Sequence, residues 1–305
     1  MKAILLPVGI DSNYGALSPV WSDKSFRYIP IYYKDKTGKE RKEKRTYKSL
    51  DLHYLVPDKI VKKKVHLDPE FESFTYGDQG NQKSKALLKL NKGDLLVFYF
   101  EGRRQSDPHE TGCFIFAYFV VKYIVEWNNL SSVDRKKYEK VLKNNAHFRS
   151  SKSKDNLVIV KGNSKSKLLK KCIPITVQND KSKNPPYFTS PEIQKFLGIG
   201  DYITHSVPLV IDDPVRIRNL RMMLGIDPVN PTEFEEKIPL CLLSRIIDRE
   251  RHLTADEKLF FMNFMISKSR NYRSDAENFG TDMYIGGFKN VDLLDEYFVN
   301  YYDKI

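Results

Sequence analysis

One apolar run constrains this chain more than anything else in it: Leu95 to Phe100, LLVFYF, entered through Gly93-Asp94 and left through Glu101-Gly102-Arg103-Arg104. A run this short, rich in aromatics and bounded by turn residues, has the length of a buried strand and not of a helix. A second run, Cys113 to Val125 (CFIFAYFVVKYIV), follows after a polar loop. Two such strands make the centre of a sheet around which the other segments must be placed. The polar, turn-rich segment before the first strand, HLDPEFESFTYGDQGNQ, and Arg103-Arg104 after it then fall at the rim of that sheet.

Along the rest of the chain, Lys2 to Ile10 reads as a first strand, closed by Asp11-Ser12-Asn13, whose side chains suit hydrogen bonds to their own turn. Phe26 to Tyr33 is β-like, with Pro30 placing it at an edge or a bulge. Lys34 to Arg45 holds seven basic residues against three acidic ones. It reads as a solvated hairpin or loop, with a phosphate-contacting arm as the alternative. Leu50 to Ile60 is ambiguous and broken by Pro57. Ser131 to Leu142 predicts a helix with a serine cap and Asp134 in its first turn, and Asn156 to Gly162 predicts a strand. Asn163 to Cys172 carries four lysines and no acid. Ser190 to Leu197, SPEIQKFL, joins a serine cap to a proline at the first helical position. From Asp212 the pattern turns helical, including a capping box at Thr254 and Glu257. The expectation is an α+β protein. Residues 1–210 form a mixed or barrel-like β core, and residues 211–305 a helical extension packed on it.

Several classes of protein are set aside by composition. The three cysteines lack CxxC spacing, so neither a disulfide framework nor a thiolate metal site is expected. The N-terminal apolar run is short for a signal peptide. The longest apolar run, Cys113 to Val125, is interrupted by Lys122 and is short for a membrane span. A cytoplasmic protein with no membrane partner is expected. With 51 basic against 39 acidic residues the net charge is +12, which favours a polyanionic partner but also serves solubility alone. No phosphate-binding P-loop, zinc-protease HExxH or nucleophile-elbow GxSxG occurs, and no two histidines stand at i,i+4. On that pattern neither a metal nor a cofactor is expected.

The candidate site residues lie beside the central strand. His66 and Asp68 are two apart before Pro69, a spacing that puts both on one face of extended backbone and suits a base and its orienting acid. Tyr76, Asp78, Gln79 and Asn81 lie in a glycine-containing loop next to Phe71 and Phe74. Amides and aromatics interleaved in this way suit a pocket that stacks a base and reads its edge, and suit an ordinary surface loop as well. Arg103, Arg104, His147 and Arg149 are candidates for phosphate contact.

The order of these motifs resembles the nucleotide modification associated domain type 3 family, over roughly residues 5–200. The residues that carry the resemblance are Gly9, Asp11, Ser12 and Gly15, then Ser18-Pro19, His66-Leu67-Asp68-Pro69, and Gly77, Gln79 and Gly80. Gly93-Asp94-Leu95, Phe98 and Arg103 follow, with His147 and Asn156 farther on. The chain departs from the pattern at Lys85 to Leu87, where a histidine is expected, and in the central strand, where a tryptophan is expected. The resemblance implies association with systems that make or handle modified nucleic-acid bases. The Gly-Asp strand entry also looks like that of small PUA and EVE barrels, which bind RNA or modified bases, an analogy of fold alone.

Three functions follow. The first is a nucleic-acid-associated protein binding a nucleotide or modified base, with Ser12, Tyr76, Asp78, Gln79, Asn81, Arg103, Arg104 and Arg149 as its contacts. The second is an enzyme acting on a base or nucleotide through His66, Asp68, Asp11 and His147. The third is a structural subunit of a modification or defence complex, docking a protein partner through the C-terminal helices.

Overall fold

A computed structural model describes residues 1–33, 43–80, 82–106, 110–150, 154–177, 187–203 and 208–226. In chain order the strands are β1 (Ala3–Pro7), β2 (Ser18–Val20), β3 (Thr75–Gln79), β4 (Leu95–Arg104), β5 (Thr111–Glu126), β6 (Leu157–Gly162), β7 (Lys167–Pro174), β8 (Thr176–Val177), β9 (Tyr187–Thr189), β10 (Tyr202–Ile203) and β11 (Leu209–Ile211). The α-helices are α1 (Gln82–Leu87), α2 (Ser132–Leu142), α3 (Ala146–Ser150), α4 (Pro191–Leu197) and α5 (Pro214–Met223). Residues Met1–Asn219 make one compact unit.

The architecture is mixed α+β. Eight strands join in one sheet, ordered β11-β1-β4-β5-β6-β3, with β2 on β4 and β7 on β5. β4 and β5 are antiparallel, whereas β1 and β2 run parallel to β4. Both faces of β4 are covered, since Leu95 to Gly102 are all buried. That is why its sequence is continuously apolar and does not alternate. Leu96, Phe98 and Phe100 belong to one core cluster with Phe114, Phe116 and Phe119. Phe98 and Phe119 meet edge to face at 4.8 Å. The Gly93-Asp94 entry has a mechanical purpose. Gly93 turns the chain at φ +92°, and the Asp94 carboxylate accepts from the backbone N–H groups of Lys2 and Asn91, each at 2.8 Å. This fastens the start of β4 to the start of β1.

The serine caps predicted for α2 and α4 are present. Ser131 Oγ accepts from the Asp134 N–H at 3.1 Å and Ser190 Oγ from the Ile193 N–H at 3.3 Å. Four readings change. The YGDQ segment is part of a strand, β3, and not of a loop, paired along its length with β6. Phe26 to Tyr33 forms no ladder: it makes isolated bridges at Phe26 and Tyr32 and single hydrogen bonds such as that from the Ile10 N–H to the Ile29 carbonyl, and Pro30 has no N–H to give. Leu50 to Ile60 resolves into two short 3-10 turns. Among the described residues the main sheet runs from β11 to β3 with no ladder joining those two strands. Most of Lys34 to Arg45, Asn81 and nearly all of the expected helical extension lie outside the described residues. Among the described residues no helix is long and apolar enough to cross a membrane.

Candidate active site at the strand ends

His66 stands where the Tyr32–Val65 bridge ends, its N–H donating to the Ile31 carbonyl at 2.7 Å. The chain then bends: the Asp68 N–H donates to the His66 carbonyl at 3.0 Å, and the Asp68–Pro69 peptide is cis. The two side chains are therefore brought together by a bend and not by a shared strand face. Asp68 is held from two directions. The Gly77 N–H in the middle of β3 donates to both carboxylate oxygens, at 3.1 and 3.2 Å, and Asn145 Nδ2 donates to Oδ1 at 3.0 Å.

The glycine at 77 answers to packing. A Cβ there would stand 2.7 Å from Asn145 Oδ1 and 3.1 Å from His147 Cβ, so only a glycine lets α3 approach β3 this closely. Asn145 caps α3, its Oδ1 accepting from the Phe148 N–H at 3.2 Å while its amide nitrogen serves Asp68. One side chain thus sets both the start of α3 and the acid. His147 follows in the first turn of α3. Its Nε2 is 3.1 Å from His66 Nε2 and 3.5 Å from Asp68 Oδ2, and the Tyr33 ring stands edge-on against His66 at 4.8 Å.

His66, Asp68, His147 and Tyr33 line a cavity of about 620 Å³ that also takes in Pro7, the last residue of β1, and Glu101 of β4. That volume suits a small-molecule ligand. Tyr14, Tyr32, Tyr33 and Tyr76 supply aromatic wall, and Gln79 an amide. Among the described residues Asp11, Asp68, Asp78 and Glu101 line it with one ammonium, that of Lys83, so there the carboxylates outnumber the cation. Glu101, buried at the end of β4, accepts from the Tyr187 hydroxyl at 2.5 Å and the Ser12 N–H at 3.4 Å. Burial pushes the Asp68 carboxyl well above the ordinary carboxylate range, with the Gly77 N–H and the Asn145 amide pulling the other way. Burial draws the Lys83 ammonium below the ordinary lysine range, opposed by Asp78 and Asp68. The Tyr76 phenol is raised first by burial and then by the same two acids.

Of the residues singled out in the sequence, Asp11, His66, Asp68, Tyr76, Asp78, Gln79 and His147 lie on this cavity. Others do not. Ser12 is exposed and outside the cavity lining, with its backbone N–H donating to Glu101. Arg103 is exposed at the end of β4, and Arg104 pairs with Glu110 at 2.6 Å over the Phe114 ring. Arg149 points to Glu43, a nearly buried carboxylate that also takes two hydrogen bonds from the Arg45 guanidinium, each at 2.9 Å. That ion pair anchors α3, so Arg149 is committed to the frame and not to the cavity. Tyr14, Tyr32, Tyr33, Lys83 and Glu101 on the cavity, and Asn145 beside it, are not marked as site residues by the sequence. Glu101 did leave a signal, an acid ending an otherwise apolar strand. Asn145 stood beside His147 in NNAHFRS with nothing to mark it.

The fold and site define a mixed α+β domain with an acidic pocket and a His-Asp-His cluster lining it. Residues 2–200 match the model of nucleotide modification associated domain 3, and the chain belongs to that family. No curated protein and no solved structure matches the chain.

Proposed function

We propose that the cavity binds a nucleotide or modified base and that the His66–Asp68–His147 cluster is its reactive end, so that the chain takes part in nucleic-acid base modification. Membership of the family links the chain to nucleotide modification in general. The observation that carries the finer reading is convergence. Three groups with chemistry of their own, two from one bend and one from a helix 79 residues farther on (147 − 68), meet on a ligand-sized cavity. Aromatic walls, an amide and several carboxylates are what a stacked, edge-read base requires. The strand-entry analogy to base-binding PUA and EVE barrels points the same way and rests on fold alone.

An acidic lining disfavours a bare polyphosphate and favours recognition through the base. Phosphates of a larger nucleic acid would lie outside, toward exposed basic groups such as Arg103. A docking role for the C-terminal helices falls, α5 apart, on residues outside the described ones.

The test is conversion. The full chain is incubated with single-stranded and duplex DNA, RNA, and free nucleotides, and the products are read by nucleoside mass spectrometry. A mass change on a base or nucleotide that disappears in His66→Ala, with the melting temperature preserved, is the expected result. A folded chain that neither binds nor changes any of these substrates would contradict the proposal. Binding without conversion, weakened by Asp78→Ala, would instead favour a reader of modified bases.

A further inference from the structure

The spacing of the three reactive groups suits a shared ion as well as it suits a proton relay. His66 Nε2 and His147 Nε2 are 3.1 Å apart, His147 Nε2 and Asp68 Oδ2 3.5 Å, and all three donor atoms lie within 4.8 Å of one another. Two donors bound to one ion at about 2.0–2.1 Å stand roughly 2.8–3.4 Å from each other, the shorter value along an octahedral edge and the longer along a tetrahedral one. Two imidazoles that meet Nε2 to Nε2 hold at most one proton between them, whereas a cation accepts both lone pairs. We propose that His66, Asp68 and His147 bind one divalent first-row transition-metal ion, with its remaining coordination positions open to the cavity.

Three further observations bear on this. Asp68 is 6% exposed, and a carboxylate so deeply buried is normally paired or bound to a metal. Its orientation is fixed by groups outside the ligand set, the Gly77 N–H and the Asn145 amide, and outer hydrogen bonds of this kind hold metal-binding carboxylates in place. Asp78 and Glu101 on the same cavity raise the local concentration of cations. Two imidazoles and one carboxylate select Zn²⁺ or Fe²⁺ over Mg²⁺ or Ca²⁺, which prefer all-oxygen ligands. Three protein ligands leave room for water or substrate, as in catalytic rather than structural sites. The histidines are 81 residues apart (147 − 66), so no helical spacing could announce the site.

The inference builds on the cavity as a ligand site, yet metal binding is measured without any nucleotide. The full-length protein is stripped with a chelator, dialysed, and titrated calorimetrically with Zn²⁺, Mn²⁺ and Mg²⁺, and with Fe²⁺ under anaerobic conditions. One Zn²⁺ or Fe²⁺ per chain is expected, bound at least tenfold more tightly than Mg²⁺. Asp68→Asn keeps acceptor and shape for Gly77 and Asn145 but loses the anionic ligand. It and His147→Ala should weaken binding by about 10- to 100-fold or more, while His53→Ala, at an exposed histidine, changes nothing. Thermal melting shows that each variant is folded. A folded wild-type chain that takes up no ion, or binding unchanged in Asp68→Asn and His147→Ala, would overturn the proposal. Nucleoside binding in chelator separates the two readings. If nucleosides bind and no ion does, the metal centre is wrong and the pocket stands. If an ion binds in the expected ratio and nucleosides do not, the metal centre stands and the nucleotide reading is wrong.

Discussion

The cavity and the chain that encloses it carry opposite charge. The whole chain is +12, yet the cavity brings Asp11, Asp68, Asp78 and Glu101 together against Lys83. Net charge therefore describes the field a distant polyanion meets, and not the chemistry of the pocket it would reach. A basic exterior around an acidic pocket suits two kinds of contact: phosphate backbone outside, where salt weakens it, and a base or a cation inside, where desolvation and hydrogen bonds decide.

Variants can break this contrast, the largest effect first. Asp68→Ala leaves the Gly77 N–H buried without its acceptor and the Asn145 amide with Thr75 Oγ1 at 3.4 Å alone, so unfolding should become easier by about 1–3 kcal/mol, with ligand binding lost as well. Asp68→Asn should recover most of the stability and none of the function, and urea denaturation of the pair separates the two roles. Gly77→Ala pushes a methyl group against Asn145 and His147. About 1–3 kcal/mol of destabilisation is expected, together with weaker ligand binding as α3 is displaced from β3.

A smaller effect belongs to the frame. Burial tends to raise the Glu43 carboxyl, but hydrogen bonds from Arg45 and the charges of Arg149 and Arg45 outweigh it and hold the group below the ordinary glutamate range. A carboxylate with a lowered folded-state pKa stabilises the fold fully above its unfolded value of about 4.3, and that contribution disappears as the pH falls through the lowered value. The melting temperature of wild type should therefore drop more steeply on acidification than that of Glu43→Gln. Equal slopes would remove this ion pair from the account. The smallest effect on the fold is expected at the exterior. Arg103→Ala should leave stability within about 0.5 kcal/mol, while the salt dependence of nucleic-acid affinity becomes shallower by about one unit of slope.

The same contrast explains what could be read in advance. β4, β5, α2 and α4 were legible because burial on both faces and capping serines write themselves into local sequence. HLD and His147 stood out by residue type. Their meeting was invisible, since it depends on the pairing of β3 with β6 and on Asn145 joining α3 to Asp68 across 77 residues. β3 itself reads as a loop in the sequence because Gly77, Asp78 and Gly80 are turn residues. Gly77 is there because α3 packs on the strand, and Gly80 holds φ +71° just past its end. Arg104 and Arg149 show the opposite case, since sequence marks their charge but not the acids that engage them, Glu110 and Glu43.

The central claim is that the acidic cavity, and not the basic exterior, recognises the base. Calorimetric titration of the full chain with uncharged nucleosides, in about 50 mM and again in about 200 mM salt, tests it most directly. The account predicts binding that barely changes between the two salt concentrations and weakens at least tenfold in Asp78→Ala. Absence of nucleoside binding, combined with nucleic-acid affinity that falls steeply with salt and is untouched by Asp78→Ala, would contradict it.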